Sequence, residues 1–428
     1  MGSAVSSERR IALVDVNNFY ASCETIFNPT LRGKPVVVLS NNDGCVVARS
    51  AAAKALNIKM AQPWHQVDPV VQRQTVVFSS NYTLYADLSN RVMTILSDMA
   101  PSQEVYSIDE SFLDLTGIRD LQQHAQAIRQ RVVQWTGLAV CVGIGNTKTR
   151  AKLANYVAKK SPDCLGVFDL ETRGPPDQSA LLTKIPVGEV WGIGFRTERR
   201  LLQMGIHTVA DLQSSSPKHL RKQFGVVVER IVAELNGEVC TDLEISPPAK
   251  QQIRSSRSFG RAVTELSVLK EAMLAFVSIA AEKLRRQNSL TSTLQVFVCT
   301  NAFRPDKPQH SNGFTLNLPY ATDETTMLGK FAVRTLDQLY KPGYEYKKAG
   351  VNLINLSPRV SAQMDLFTNS NSAKRGERLS NTMDTINQRF GRESICLGRV
   401  SGIRSWSMNQ ARLSPCYTTN KNQLLLVR

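Results

Sequence analysis

Three acidic side chains set in two otherwise apolar stretches limit what this chain can fold into more than any other feature. Asp15 lies in LVDVNNFYASCE (13–24), directly behind Ile-Ala-Leu-Val, and Asp109 and Glu110 lie in YSIDESFLDLTG (106–117). An unpaired charge buried in such a strand costs on the order of several kcal/mol, so Asp15 requires a cation. Strands of this kind lie side by side in a sheet, and their ends can bring three carboxylates to one spot. Hard oxygen ligands without His or Cys favour Mg²⁺, which takes a few carboxylates and completes its shell from substrate phosphates. That combination points to phosphoryl or nucleotidyl transfer with two metal ions. Adjacent strand residues face opposite sides, so Asp109 and Glu110 share a site only if a turn or bulge re-aims one of them. The plainer alternative has Glu110 facing solvent and Asp109 making a turn.

The 428 residues exceed one hydrophobic core, and about 150 residues per domain predicts roughly three domains. Hydrophobic content of 42% and charged content of 21% describe a globular protein. No apolar run approaches the ~20 residues of a membrane helix, and MGSAVSSERR lacks a signal-peptide core, so a cytoplasmic location is expected, with no membrane. Those ten residues read as a flexible lead-in or an appended remnant. The eight cysteines are scattered without Cys-x-x-Cys or paired His spacing, which argues against zinc and for reduced thiols. The net charge of +16 is unevenly placed. Residues 1–244 carry 26 Lys and Arg against 24 Asp and Glu, whereas 245–428 carry 26 against 12. A basic C-terminal half beside a near-neutral half that holds the acidic cluster favours nucleic acid over a merely solvated surface.

The predicted elements are a strand over 11–16, a strand over 36–41, an Ala-rich helix over 45–60 carrying Lys54 and Lys59, and a helix over 79–100. A strand pair at 104–115, a helix near 120–135, a strand at 138–145 and a helix at 149–160 follow. This order, with an insertion after the first strand, is that of a split βαβ core. ETRGPPDQS (171–179) marks a boundary before a helical region reaching about 240, and SPPAKQQ (246–252) reads as a linker. The next unit mixes strands (294–300, 348–356) with helical patterns at 267–285 and 325–340. The tail, 357–428, shows weak periodicity.

GIGNTKT (143–149) has Thr147 where a Walker loop needs Gly before its Lys, which rules out that ATPase motif. Lys148, Lys152, Lys159 and Lys160 remain able to reach phosphates, although solvated helix lysines are the ordinary outcome. IPVGEVWGIGFRTERRLLQMGIHTVADL (185–212) has the form of a helix–hairpin–helix. Gly192 and Gly194 would offer backbone N–H groups to a DNA phosphate, and Arg196, Arg199 and Arg200 trail them. A simple helix–helix turn is the alternative. Arg254, Arg257 and Arg261 lie in an extended basic segment suited to phosphates. QMDLF (363–367) places Leu366 and Phe367 in a polar tail, to pack on the body or to dock in a partner's groove.

DVNNFYASCE, SNNDGCVVARS, SSNYTLYAD, YSIDESFLDLTG, GIGNTKTRAKLAN and the terminal WSMNQARLSPCYTT, in this order, resemble the Y-family DNA polymerases of translesion synthesis, most closely their UmuC type. The resemblance runs from about residue 11 to the C-terminus. It implies an α+β right-hand fold with a split βαβ, ferredoxin-like palm (1–18 and 79–174) and small fingers (19–78). A helix–hairpin–helix thumb (175–245), an α/β little finger (250–356) and a tail with a clamp-binding motif (357–428) complete it. It implies that Asp15, Asp109, Glu110 and the Val16 carbonyl hold two Mg²⁺ ions, and that Tyr20, preceded by Phe19, is the gate excluding a 2′-hydroxyl. Lys159 matches a triphosphate contact. The family's Tyr-x-x-Arg pair is only partly present, with Ala51 and Lys54 at its positions, so Arg49 or Tyr82 would compensate. Gln363, Met364, Asp365, Leu366 and Phe367 match a sliding-clamp-binding pentapeptide. The expected substrates are primer-template DNA and dNTPs, the expected partners a sliding clamp, a processed UmuD-type dimer and a RecA filament. The expected activity is error-prone synthesis past damaged DNA in the SOS response, without proofreading. A nucleotidyl cyclase on the same core and a catalytically silent DNA-binding subunit are the competing readings.

Overall fold

The structure is a computed structural model that describes residues 8–361, 370–391, 393–398 and 406–424. It separates into two compact units. The first takes the chain through Leu39, Cys45–Pro247, and the stretch from Arg412 onward; the second takes Ser40–Gly44 and Pro248–Ala411.

The first unit runs β1 (Ile11–Val16), α1 (Phe19–Thr25), β2 (Val36–Leu39), β3 (Val46–Arg49), α2 (Ala51–Ala55), α3 (Pro69–Gln74), β4 (Val76–Ser79) and α4 (Tyr82–Ser97). It continues with β5 (Ser102–Val105), β6 (Glu110–Asp114), α5 (Leu121–Thr136), β7 (Val140–Gly145), α6 (Lys148–Lys160) and β8 (Val167–Asp169). The helices α7 (Pro175–Leu182), α8 (Phe195–Gln203), α9 (Val209–Ser214), α10 (Pro217–Phe224) and α11 (Val226–Leu235) complete it. Its main sheet has the order β5-β6-β1-β7-β8, with β1 antiparallel to both neighbours. A central strand covered on both faces must be apolar on both, and IALVDV is buried throughout except at Asp15. Ala12, Val14 and Val16 face a core shared with Leu84, Leu88, Val92 and Leu96 of α4 and with Ile128 of α5. Ile11 and Leu13 face the other way, with Phe112 and with Ala151 of α6. Asp15, two residues on from Leu13, therefore projects to the α6 side.

The close seat of α6 on β7 depends on glycine. A Cβ at Gly143 would lie 2.0 Å from the Asn155 backbone nitrogen and 2.5 Å from the Ala151 carbonyl oxygen. The glycines of GIGNTKT thus admit a helix, and Thr147 caps that helix by accepting from the Arg150 N–H. A smaller sheet, β3-β2-β4, lies between α1 and α4 in the chain. The expected helix over 45–60 is replaced here by β3 and the short α2. Ala48 and Arg49 pair with Val38 and Val37 of β2, so sheet pairing overrides the local Ala-rich propensity.

The second unit runs β9 (Ile253–Val263), α12 (Leu266–Arg286), β10 (Ser289–Thr300), β11 (Ser311–Thr322), α13 (Thr325–Leu339), β12 (Tyr346–Pro358) and α14 (Ser370–Phe390). Its antiparallel sheet has the order β11-β10-β12-β9. Leu294, Val296 and Val298 alternate into a core with Ala272, Phe276 and Leu336 from α12 and α13. The tail departs from expectation, since α14 spans 21 residues and Arg285 forks onto Asp384 at 2.6 and 2.8 Å. The clamp-type segment 363–367 lies outside the described residues, as do residues 1–7 of the lead-in.

Candidate active site

The register of β1 against β6 sets Asp15 directly opposite Glu110. Phe112, two residues from Glu110, shares the α6-side cluster with Leu13, so both carboxylates project to that side. Asp109 escapes strand alternation because it precedes β6, in a bend organised by Ser107. The Ser107 hydroxyl donates to Asp109 Oδ1 at 2.6 Å and accepts from the N–H groups of Asp109 and Glu110 at 3.2 and 3.0 Å. The Val16 N–H donates to the Asp109 carbonyl at 2.9 Å, tying the bend to the end of β1. This is the turn that the sequence demanded if the Asp-Glu pair was to serve one site.

Each carboxylate has a cation or a donor from the protein. Lys159 Nζ lies 2.6 Å from Asp15 Oδ1, and Lys152 Nζ lies 3.0 Å from both carboxylate oxygens of Glu110. Burial raises the Asp15 carboxyl to about 6 against the pull of Lys159, with Glu110 and Asp109 adding repulsion. Both of the other acids therefore bear on Asp15. Among the described residues no three His, Cys, Asp or Glu side chains stand close enough together to form a metal-binding group. The donor set still suits Mg²⁺ chemically, because every candidate donor is a hard oxygen.

The lysines of α6 do not all serve as expected. Lys148 is buried and ion-paired to buried Glu104 at 2.5 Å, which removes it from any phosphate. Lys152 sits over the Tyr106 and Trp191 rings at 4.5 and 5.1 Å while it holds Glu110. Lys160 lies over the Tyr156 ring. Partial burial lowers the Lys54 ammonium, and repulsion from Arg49, Lys159 and Lys160 lowers it further against the pull of Asp15. Three cations thus repel Lys54, while Asp15 attracts it. Arg49 also donates to the Ile58 carbonyl.

Tyr20 is the second residue of α1, whose N-cap Asn18 takes the left-handed conformation at φ 51°. Its ring stacks on Tyr85 at 4.5 Å and meets Tyr82 edge-on at 6.1 Å. Phe19 is 3% exposed and belongs to the core, so of the expected gate pair only Tyr20 reaches the surface. Tyr82, itself exposed, meets both Tyr20 and Tyr85 edge-on.

The hairpin glycines lie between a 3₁₀ turn (Val187–Glu189) and α8. Gly192 has φ +89°, and a Cβ there would lie 2.8 Å from Ile231 Cδ1, so its glycine is required structurally. Gly194 precedes α8 with open space around it, and Arg196 is exposed. Arg254, Arg257 and Arg261 are all exposed on β9, but Arg254 and Arg257 take opposite faces. Arg254 lies over Phe297 at 4.4 Å, whereas Arg257 borders Ala275 and Ser278 of α12.

The fold has counterparts among solved structures. The structure is similar to a Y-family DNA polymerase chimera with a TM-score of 0.63 at 22% identity, covering 82% of this chain and 99% of that one. An insertion ternary complex of Dbh DNA polymerase gives 0.53 at the same identity and coverage. The chain belongs to the impB/mucB/samB family, the UmuC-type Y-family DNA polymerases of translesion synthesis. The family description matches residues 14–156, its C-terminal domain 250–366, and a domain of unknown function 377–427. Salmonella typhimurium UmuC is 44% identical, covering 97% of this chain and 100% of the relative. Salmonella typhimurium ImpB is 42% identical (97% and 99%), and Escherichia coli MucB 41% (96% and 97%). Among the described residues no helix is long and apolar enough to cross a membrane.

Sequence reasoning missed Ser107, Trp191, Glu24, Tyr85 and Ser414. Ser107 had a local signal, a hydroxyl two residues before the acid it holds. The others act across 39 to 390 positions of sequence, where no spacing rule applies.

Proposed function

We propose that this polymerase performs error-prone, template-directed synthesis past damaged bases by nucleotidyl transfer at Asp15, Asp109 and Glu110, without proofreading. The observation that carries the reading is the register of Asp15 against Glu110, with Asp109 hydrogen-bonded to Val16 beside them and Lys159 paired to Asp15. Two Mg²⁺ ions, held by these carboxylates and the Val16 carbonyl, would supply Lewis-acid activation of the primer 3′-hydroxyl and charge neutralisation at the triphosphate. Lys159 exchanges Asp15 for the triphosphate, and Lys54 and Arg49 add positive charge in place of the Tyr-x-x-Arg pair. Tyr20 bars the 2′-hydroxyl by bulk. The backbone at Gly192 and Gly194, with Arg196, Arg254, Arg257 and Arg261, holds primer-template phosphates. Residues 363–367 dock on a sliding clamp, and a processed UmuD-type dimer and a RecA filament support the enzyme in the SOS response. A cyclase has no use for a basic C-terminal half, and a silent subunit has no use for the carboxylate set.

Primer extension on damaged and undamaged templates with Mg²⁺ and four dNTPs tests the assignment. Asp109→Ala and Glu110→Ala should each lose extension while primer-template binding stays near parental. Substantial extension by Asp109→Ala would sink the reading.

A further inference from the structure

The aromatic stack behind Tyr20 is anchored by the far C-terminal end of the chain. The Tyr85 hydroxyl donates to Glu24 Oε1 at 2.5 Å, and the Ser414 hydroxyl donates to the same oxygen at 3.1 Å. Glu24 is 2% and Ser414 6% exposed, so water does not replace either bond cheaply. The Ser414 segment is itself clamped. Asn81 Nδ2 donates to the Ser414 carbonyl at 2.9 Å and to the Ser414 hydroxyl at 3.0 Å, and Asn81 Oδ1 caps α4 by accepting from the Leu84 N–H. The Ser79 N–H donates to the Arg412 carbonyl at 2.9 Å, the Arg412 N–H donates back to the Ser79 hydroxyl at 3.0 Å, and Tyr417 stacks on Phe27 at 4.7 Å. All these groups belong to the first unit.

We infer that Ser414 is a positioning residue for sugar selection, acting through Glu24 and Tyr85 on the ring of Tyr20. The inference rests on the reading of Tyr20 as the gate, and it gives a task to part of the domain of unknown function. A steric gate discriminates only as well as its ring is held, since the clash it imposes falls off steeply as the ring is free to give way to the extra hydroxyl. Tyr20 and Tyr85 stack with an interplanar angle of 17°, so lateral freedom in Tyr85 passes directly to Tyr20. The phenol of Tyr85 is restrained at its far end by one carboxylate oxygen, and Ser414 keeps that oxygen in place.

The test is single-nucleotide insertion by the full-length chain, reading kcat/KM for a deoxyribonucleotide against the matching ribonucleotide. Ser414→Val and Tyr85→Phe should each shift the ratio toward ribonucleotides by about three- to tenfold, the scale of one buried hydrogen bond. Glu24→Gln, which keeps an acceptor oxygen, should stay near the parental ratio. Tyr20→Ala is the reference: if it leaves the ratio unchanged, the gate reading fails and this inference with it. Parental ratios in Ser414→Val and Tyr85→Phe, where Tyr20→Ala relaxes selection, would overturn the inference alone. A Glu24→Gln enzyme as relaxed as Ser414→Val would overturn it too, because holding geometry would then not be the cause. Tyr85→Phe removes a single hydroxyl and carries the test should Ser414→Val not fold.

Discussion

Glu24 is a carboxyl enclosed by the first unit's core, and its environment makes a pH-dependent contribution to stability. Burial raises it above the ordinary glutamate value, while hydrogen bonds from Tyr85 and Ser414 work against that shift. A raised folded-state value favours the protonated group. The stability it confers is present in full below the unfolded-state value and is lost as pH rises through the folded-state value. Urea unfolding of the parent and of Glu24→Gln across acidic to neutral pH should therefore show the parent losing ground to the variant as pH rises. A constant difference would show that Glu24 keeps one protonation state throughout. At Asp15 and Glu110 a lysine faces each carboxylate instead, Lys159 on Asp15 and Lys152 on Glu110. Those two lysines were legible as candidates because they lie on one helix. Their targets were not, since nothing local distinguishes them from Lys148, which was equally basic in sequence and is spent on Glu104.

The element that matters most for the site is α6, which carries the lysines of both carboxylates and touches β1 and β7 through small residues. Its packing distance is set by Gly143, where any side chain meets backbone rather than a flexible tip. Gly143→Ala should lift α6, destabilise the fold by at least the ~1–3 kcal/mol typical of overpacking, and cut extension. Thermal unfolding and primer extension measure both effects; a stable, fully active variant would show that the approach of α6 is not needed. Strands β1, β6 and β7 and helices α4 and α6 were foreseeable from apolar alternation and helical spacing. The exchange of the 45–60 helix for β3 was not, because pairing with β2 is a tertiary event. The long helix α14 was equally hidden in a polar sequence.

For the whole molecule, the division into two units changes how DNA affinity is best tested. Removing residues 245–428 would also remove the Arg412–Tyr417 segment, which belongs to the first unit. Neutralising Arg254, Arg257 and Arg261 leaves that segment in place. Each of these that grips a phosphate should lower the slope of log binding constant against log salt by about 0.9. Because Arg254 and Arg257 take opposite sheet faces, the triple variant should flatten the slope by less than three full contacts. An unchanged slope would make these arginines a solvated surface. Leu366→Ala with Phe367→Ala should reduce clamp-stimulated extension and spare synthesis without clamp, since a weak tether gains from an effective concentration that reaches ~mM on shared DNA. Equal loss in both assays would place the two side chains on the enzyme's own body. The amino-acid sequence by itself determined the class through the resemblance of its ordered motifs, from DVNNFYASCE to WSMNQARLSPCYTT, to the Y-family polymerases, while the acids in apolar strands and the basic C-terminal half pointed only to phosphoryl or nucleotidyl transfer on nucleic acid. Only the tertiary structure decided which lysine meets which carboxylate, that Phe19 is core while Tyr20 is not, and that residue 414 bonds to residue 24. Such contacts depend on distances closed by folding, and the free energy that selects them is burial summed over the whole unit, which no short window of sequence contains.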